Sequence, residues 1–195
     1  MSASLDAAAL DQLFLTARTH NGWRPEPLAP ALLQQVYDLA KWGPTAANTT
    51  PARFVFVTSD EGRAQLAAVA SGNNQAKILA APCTVVIGHD LDFIDAHPRL
   101  WPSAPDMLAG LKGTPAAETL AFRGSSMQGA YLIVAARALG LDCGPMGGFD
   151  NAAVDDIFFA GTNIKSNFIC SLGHGVGQVY PRNPRLAFEE ACRFA

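Results

Sequence analysis

Residues 140–150 read Gly-Leu-Asp-Cys-Gly-Pro-Met-Gly-Gly-Phe-Asp, and how they are read decides what kind of chain surrounds them. One helical apolar pattern ends just before this stretch. Another begins after it, at Ala153, Val154, Ile157 and Phe158, with Asp150 standing where an N-cap belongs. Gly144, Pro145, Gly147 and Gly148 leave little side-chain bulk. That composition predicts a connector whose main-chain N–H groups face a flat ligand, because glycine lacks the Cβ that would hold the ligand off. A plain tight turn between two helices accounts for the same residues.

Working outward, the longest helix is expected from about residue 116 to 139, closed by Gly140 as its C′ glycine. Residues 130–139 are apolar all round apart from Arg137, which marks a core helix. Buried strands are expected at 54–57, 84–88 and 167–172; the second is apolar throughout, so both of its faces should be covered. Further helices are expected to end near Arg18 and to span 30–42, 61–70 and 74–80. Residues 93–115, with Pro98, Pro102, Pro105 and Pro115, form an irregular excursion. This order predicts an α+β fold: one domain over residues 1–195, with a central mixed β-sheet flanked by helices.

The chain has 195 residues, 49% of them hydrophobic and 16% charged, with a net charge of -3. Such a chain builds a real core, and its charge excludes an electrostatic nucleic-acid footprint. So few charges leave apolar surface to cover, which points to an oligomer. Cys83, Cys143, Cys170 and Cys192 form no metal-binding spacing and read as reduced structural thiols. Residues near the start show neither the basic nor the apolar stretch of a targeting segment, so none is expected, and no apolar run reaches membrane length. A cytoplasmic protein without metal, membrane or nucleic-acid partner is the expectation.

Gly173-x-Gly175-x-Gly177 follows a strand but lacks the helix and the acidic residue of a dinucleotide fingerprint, and reads as a flexible turn. His89 and His174 lie beside apolar strands and read as structural; His97 lies in the excursion. His20 shares a polar loop with Arg18 and Asn21. Arg18, Arg182 and Arg185 are candidate phosphate ligands, since guanidinium binds phosphate oxygens bidentately; a solvated surface charge is the alternative for each. Three regions thus offer small polar groups or main-chain donors to something flat and anionic: residues 18–21, the loop at 43–51, and 144–148.

These residues carry a resemblance to the nitroreductase-like flavoproteins over nearly the full chain. Arg18-Thr19, the loop Gly43-Pro44-Thr45-x-x-Asn48 with Pro51, the run from Ala135 through Gly140 to Asp150, and Leu172-Gly173 with the late Arg185 all match that family's pattern. The resemblance implies an intertwined homodimer with FMN at the subunit interface. It implies FMN contacts at Arg18, Thr19, His20, Asn21, Asn48, Pro145, Met146, Gly147, Gly148, Arg182 and Arg185. No catalytic side chain is implied, because the flavin carries out the hydride transfer. Asn21 departs from the pattern, since many members carry a basic residue there.

The runs at 17–24, Ser125-Ser126-Met127-Gln128, Lys165-Ser166-Asn167 and Pro184-Arg185-Leu186 are similar to members that reduce malonic semialdehyde to 3-hydroxypropanoate with NADPH in pyrimidine degradation. The same reaction is implied here, with NADPH or NADH as donor. Arg123, Arg99 and Lys112 are the candidates for the carboxylate of such an aldehyde. A broad NAD(P)H reductase of nitro compounds, quinones or enones, and a flavin-binding module without turnover, are the alternatives.

Overall fold

A computed structural model describes residues 3–177 and 179–195. The chain opens with α1 (Ala7–Leu10), capped by the Asp6 carboxylate, and runs directly into a π-helical turn, Asp11–Leu15. Strand β1 (Gly22–Trp23) precedes α2 (Pro30–Ala40), which starts on proline. A 3-10 turn, Ala46–Asn48, leads to β2 (Ala52–Val57), α3 (Asp60–Ala68), α4 (Asn74–Ala80) and β3 (Cys83–Asp90). The proline-rich excursion holds α5 (His97–Leu100) between two 3-10 turns. Then come α6 (Pro115–Ala138), β4 (Asp142–Met146), α7 (Asn151–Phe158), β5 (Ile164–Gly173), β6 (Gly175–Val176) and α8 (Phe188–Ala191).

The main sheet has the order β2-β3-β5-β4, and its ladders are antiparallel. Parallel pairing, the other half of the expected mixed sheet, is confined to one bridge from Thr19 to Cys143. Side chains alternate across the sheet as strand geometry requires. Cys83, Val85 and Ile87 of β3 pack with Cys170 and Leu172 of β5 under α2 and α6. Val86 and Ile169 face the other way, against α3, α4 and α7. Both faces of β3 are therefore covered, as its unbroken apolar run predicts. The excursion buries Phe93, Ile94 and Leu108 against Ala117 and Ala121 of α6.

Helix α6 ends as expected: Gly140 has φ +79°, Leu141 N–H donates to the Ala136 carbonyl at 2.9 Å, and Gly140 N–H to that of Arg137 at 3.0 Å. The first helix stops at Leu15 rather than near Arg18, because the N–H and the hydroxyl of Thr16 both close onto the Asp11 carbonyl.

Two other expectations need correcting. Residues 142–146 are not an open connector: they form β4, an edge strand paired with β5, and an edge tolerates Pro145. Gly173 and Gly175 are not a flexible turn either, since they end β5 and start β6, which pairs with β1. A Cβ at Gly173 would meet the Trp23 ring, and one at Gly175 the His20 ring. These glycines are a packing surface.

Cys83, Cys143 and Cys170 are buried and free, while Cys192 is exposed in the tail. Burial pushes the Cys83 thiol up to about 12. The Cys143 thiol beside it, together with complete burial, pushes Cys170 up as well. No described helix is long and apolar enough to cross a membrane.

Candidate functional site

Residues 18–21 are seated on β4. Thr19 bridges to Cys143, and His20 N–H donates to the Cys143 carbonyl at 3.1 Å. The His20 ring is packed in: Nε2 lies 3.3 Å from Asp142, the ring packs against Trp23, and Gly175 lies beneath it. His20, expected to touch a ligand, thus has its imidazole set against Asp142 and Trp23 and its N–H bonded to Cys143. Gly144 serves the same seat, because a Cβ there would stand 2.7 Å from the His20 carbonyl oxygen. Thr19 is exposed and Asn21 half-buried beside this seat.

Two arginines close on each other's backbone. The Arg18 guanidinium donates to the carbonyl of Tyr180 in the tail. Arg182, from that tail, donates back to the carbonyls of Leu15 (2.7 Å) and Ala17 (2.9 Å). The bonds cross, so the sequence-distant Arg18 and Arg182 are brought together. Each keeps further N–H donors, and neither is neutralised by a carboxylate among the described residues. Arg185 folds back onto the carbonyls of Asn183 and Pro184 and is exposed.

Beyond β4 the chain becomes the glycine connector the sequence predicts, two residues long. Gly147 is exposed, with nothing within 4 Å of where its Cβ would stand. The N–H groups of Gly147 and Gly148 have no acceptor among the described residues. Pro145 is exposed, whereas the Met146 side chain is buried, so Met146 has only its backbone to offer.

The Gly148 carbonyl accepts from Ser71 N–H at 2.9 Å and from the Asn74 side-chain amide at 3.0 Å. Asn74 in turn takes the Lys77 ammonium on its Oδ1 at 3.4 Å. Asn74 and Lys77 are the residues the sequence reading missed. Their spacing of one helical turn on α4 was the available signal, but nothing local ties that helix to a connector seventy-four residues away.

Asn48 belongs to a different cluster. Its amide donates to the Leu100 carbonyl at 2.9 Å, away from the arginine pair. The loop around it is strained: Ala47, Asn48 and Thr50 have φ of +49°, +51° and +39°. Left-handed backbone costs an L-residue about 1–2 kcal/mol and concentrates at functional sites. Hydrogen bonds hold it there, Thr50 N–H to the Thr45 hydroxyl at 3.1 Å and the Thr49 hydroxyl to the Ala46 carbonyl at 2.9 Å.

The loop borders a cavity of about 1350 Å³ that runs past Leu33 and Tyr37 of α2 and Phe54 and Phe56 of β2 to Arg99 and Gln128. Of the three carboxylate candidates, Lys112 is engaged by Asp95, Arg123 lies exposed on α6, and Arg99 lines the cavity.

Within the motifs at 125–128 and 165–167, Ser125, Gln128 and Ser166 are buried, while Met127 and Lys165 are exposed. The Asn167 amide donates to the hydroxyls of Ser125 (3.3 Å) and Ser126 (2.9 Å), the Ser125 hydroxyl donates to the Gly88 carbonyl at 2.9 Å, and Gln128 accepts from Ala52 N–H at 2.9 Å. They join α6 to the sheet. His89 is structural as expected: it is buried edge-on to Phe122, and that burial, outweighing the pull of Glu118 and Asp155, lowers its pKa. No metal-binding group of His, Cys, Asp or Glu occurs among the described residues.

Comparison with known proteins agrees with this architecture. The Nitroreductase family profile matches residues 16–174. The chain is 60% identical over 192 residues, 98% of each chain, to a protein of Caulobacter sp. (strain K31) provisionally named NADH dehydrogenase/NAD(P)H nitroreductase. It is 59% identical over 197 residues to a protein of the same provisional name from Stenotrophomonas maltophilia (strain R551-3), covering all of both chains. Among solved structures, a provisionally assigned nitroreductase from Exiguobacterium sibiricum 255-15 in complex with FMN superposes with TM-score 0.87 at 20% identity, covering 100% of this chain and 99% of that one.

Proposed function

We propose, from the premise that this chain belongs to the nitroreductase family, that it is an FMN-dependent NAD(P)H oxidoreductase that reduces malonic semialdehyde to 3-hydroxypropanoate in pyrimidine degradation. The observation that carries the flavin reading is the crossed pair Arg18 and Arg182, seated one strand away from the unpartnered N–H groups of Gly147 and Gly148. These residues fit FMN: the guanidinium pair, with Thr19 and the tail's Arg185, suits a phosphate, and the open face of Gly147 suits a flat ring.

When bound, FMN supplies two-electron hydride chemistry. Over a full cycle, aldehyde, NAD(P)H and one proton give alcohol and NAD(P)+. The chain's own part is to bind and to polarise. The main-chain donors at 147 and 148 would hold the ring, and Lys77, held by Asn74 against the connector, would place positive charge near it. That supplies the cation which Asn21 does not. We expect Lys77→Met to lower the two-electron midpoint potential by about 20–45 mV, the equivalent of roughly 1–2 kcal/mol of lost charge stabilisation. A dye-equilibrated redox titration measures it; an unchanged potential removes Lys77 from this role.

In one chain the Asn48 loop and the arginine pair run to different partners, so the reading includes a homodimer in which a second copy brings Asn48 to the flavin. Exposed Tyr180, Leu186, Phe188 and Phe194 on the tail, and exposed Phe122 and Met127 on α6, support it. So does the cavity, which runs along β2, an edge strand with one side unpaired.

A second reading, a broad reductase of quinones, enones or nitro compounds, is favoured by the inward-facing Ser125, Ser126 and Asn167. Ser125, Ser126 and Asn167, three residues of the motifs similar to those of semialdehyde-reducing members, join α6 to the sheet and so do not themselves select a substrate. The test is direct. Protein loaded with FMN should bleach within seconds on adding NADPH or NADH, and malonic semialdehyde should restore the colour faster than propanal, a quinone or a nitroarene does. Protein that takes up no FMN overturns the whole reading; preference for the nitroarene leaves only the broad reductase.

A further inference from the structure

The large cavity is electrically one-sided. Its lining includes Lys41, Arg53 and Arg99 and no aspartate or glutamate. Two of these cations are already neutralised, Lys41 by Asp38 at 2.6 Å and Arg53 by Asp90 at 2.5 Å. Arg99 has no carboxylate within 4.0 Å among the described residues. It is therefore the one lining cation whose charge is open to a ligand.

Its position is built. Arg99 stands on α5, whose first residue, His97, is completely buried and bonded through Nδ1 to the Pro105 carbonyl at 3.2 Å. The next residue, Leu100, accepts from Asn48, the residue assigned above to the flavin. A second donor faces the same cavity: Gln128 is 4% exposed, its Oε1 is taken by Ala52 N–H, and its Nε2 has no acceptor among the described residues.

We propose that Arg99 is the carboxylate anchor of this site, so that the enzyme selects short aldehydes bearing a carboxylate, with the Gln128 amide as a supporting donor. This rests on the reading of the site given above and deepens it, choosing Arg99 over Lys112 and Arg123. Lys112 is engaged by Asp95, and Arg123 lies outside the cavity lining. A guanidinium binds a carboxylate through two parallel N–H bonds, while the uncharged analogue leaves it merely solvated. The discrimination should fall on KM.

The experiment compares malonic semialdehyde with propanal, which has the same carbon count and no carboxylate. In Arg99→Ala the ratio of kcat/KM for the two substrates should fall by about tenfold to a hundredfold, through KM for the semialdehyde. Arg99→Lys should recover part of it, and Lys112→Ala should leave the ratio within about twofold. A readout without turnover accompanies this: propanoate titrated into the oxidised holoenzyme should perturb the flavin absorption with a Kd raised at least about tenfold in Arg99→Ala.

The outcomes separate the two claims. A wild-type enzyme that does not prefer the semialdehyde overturns the substrate reading. Propanoate binding equally well to wild type and Arg99→Ala overturns the anchor, whatever the substrate proves to be. A rise in KM confined to NADPH also overturns the anchor and moves Arg99 to the nucleotide phosphate.

Discussion

Gly144→Ala should lower the stability of the apoprotein by about 2–3 kcal/mol and weaken FMN binding at least about tenfold. The added methyl group has nowhere to go. It would stand 2.7 Å from the His20 carbonyl oxygen and 3.0 Å from the Trp23 ring. The first of these is backbone and is fixed by the bond from His20 N–H to Cys143. Relief must come from lifting residues 18–21 off β4, which carries Arg18 out of register with Arg182. Gly147→Ala is the control, because nothing lies within 4 Å of its new methyl group. The apoprotein should melt as wild type, with FMN affinity alone reduced, since only the ligand occupies that space. Thermal melts with and without FMN read both. A Gly144→Ala protein that melts unchanged removes the packing role of that glycine.

Removing residues 184–195 should convert the dimer to a monomer and abolish FMN retention. The deleted segment carries Arg185 and three large apolar side chains exposed on the single chain, with Phe194 92% accessible. Burying each against a partner contributes about 1.5–3 kcal/mol, so two arms of three side chains contribute roughly 9–18 kcal/mol to association. The part that remains keeps its own core, because none of the three hydrophobic clusters includes a residue beyond Leu172. Sedimentation at several concentrations, with absorbance at flavin wavelengths, reports both outcomes. A truncated protein that still sediments as a yellow dimer overturns the role given to the tail.

What the sequence made legible follows from how local each signal is. The C′ glycine at 140 and the N-cap at Asp150 rest on contacts within a few residues, and the doubly buried β3 announces itself by its own unbroken apolar run; each stands where the pattern placed it. The strand at 142–146 was hidden because its glycine and proline are poor strand formers in isolation. They are acceptable only because β4 is an edge and Gly144 must admit the His20 backbone.

The site divides in the same way. Arg18 and Arg182 were recognisable as phosphate-type residues, but their crossed bonds join groups more than 160 positions apart. Lys77 escaped notice because a lysine on an exposed helix is ordinarily a solvated charge. Its partner Asn74 lies on the same helix, and only the return of the chain at Gly148, which bonds Asn74, brings the pair to the connector. Arg99 and Lys112 were equal candidates by composition, and the ion pair to Asp95 separates them.

The distribution of the four thiols provides an optical handle on the tail. Three are sealed in the sheet, where burial of Cys83, and the Cys143 thiol together with burial at Cys170, favour the unreactive protonated form. Cys192 alone is exposed, four residues past the start of α8. A maleimide dye added to the native protein therefore lands at one address, without any engineered cysteine or removal of native ones. Energy transfer between dyes on mixed subunits then follows subunit exchange in real time, and the labelling rate itself shows whether the arm is docked or loose.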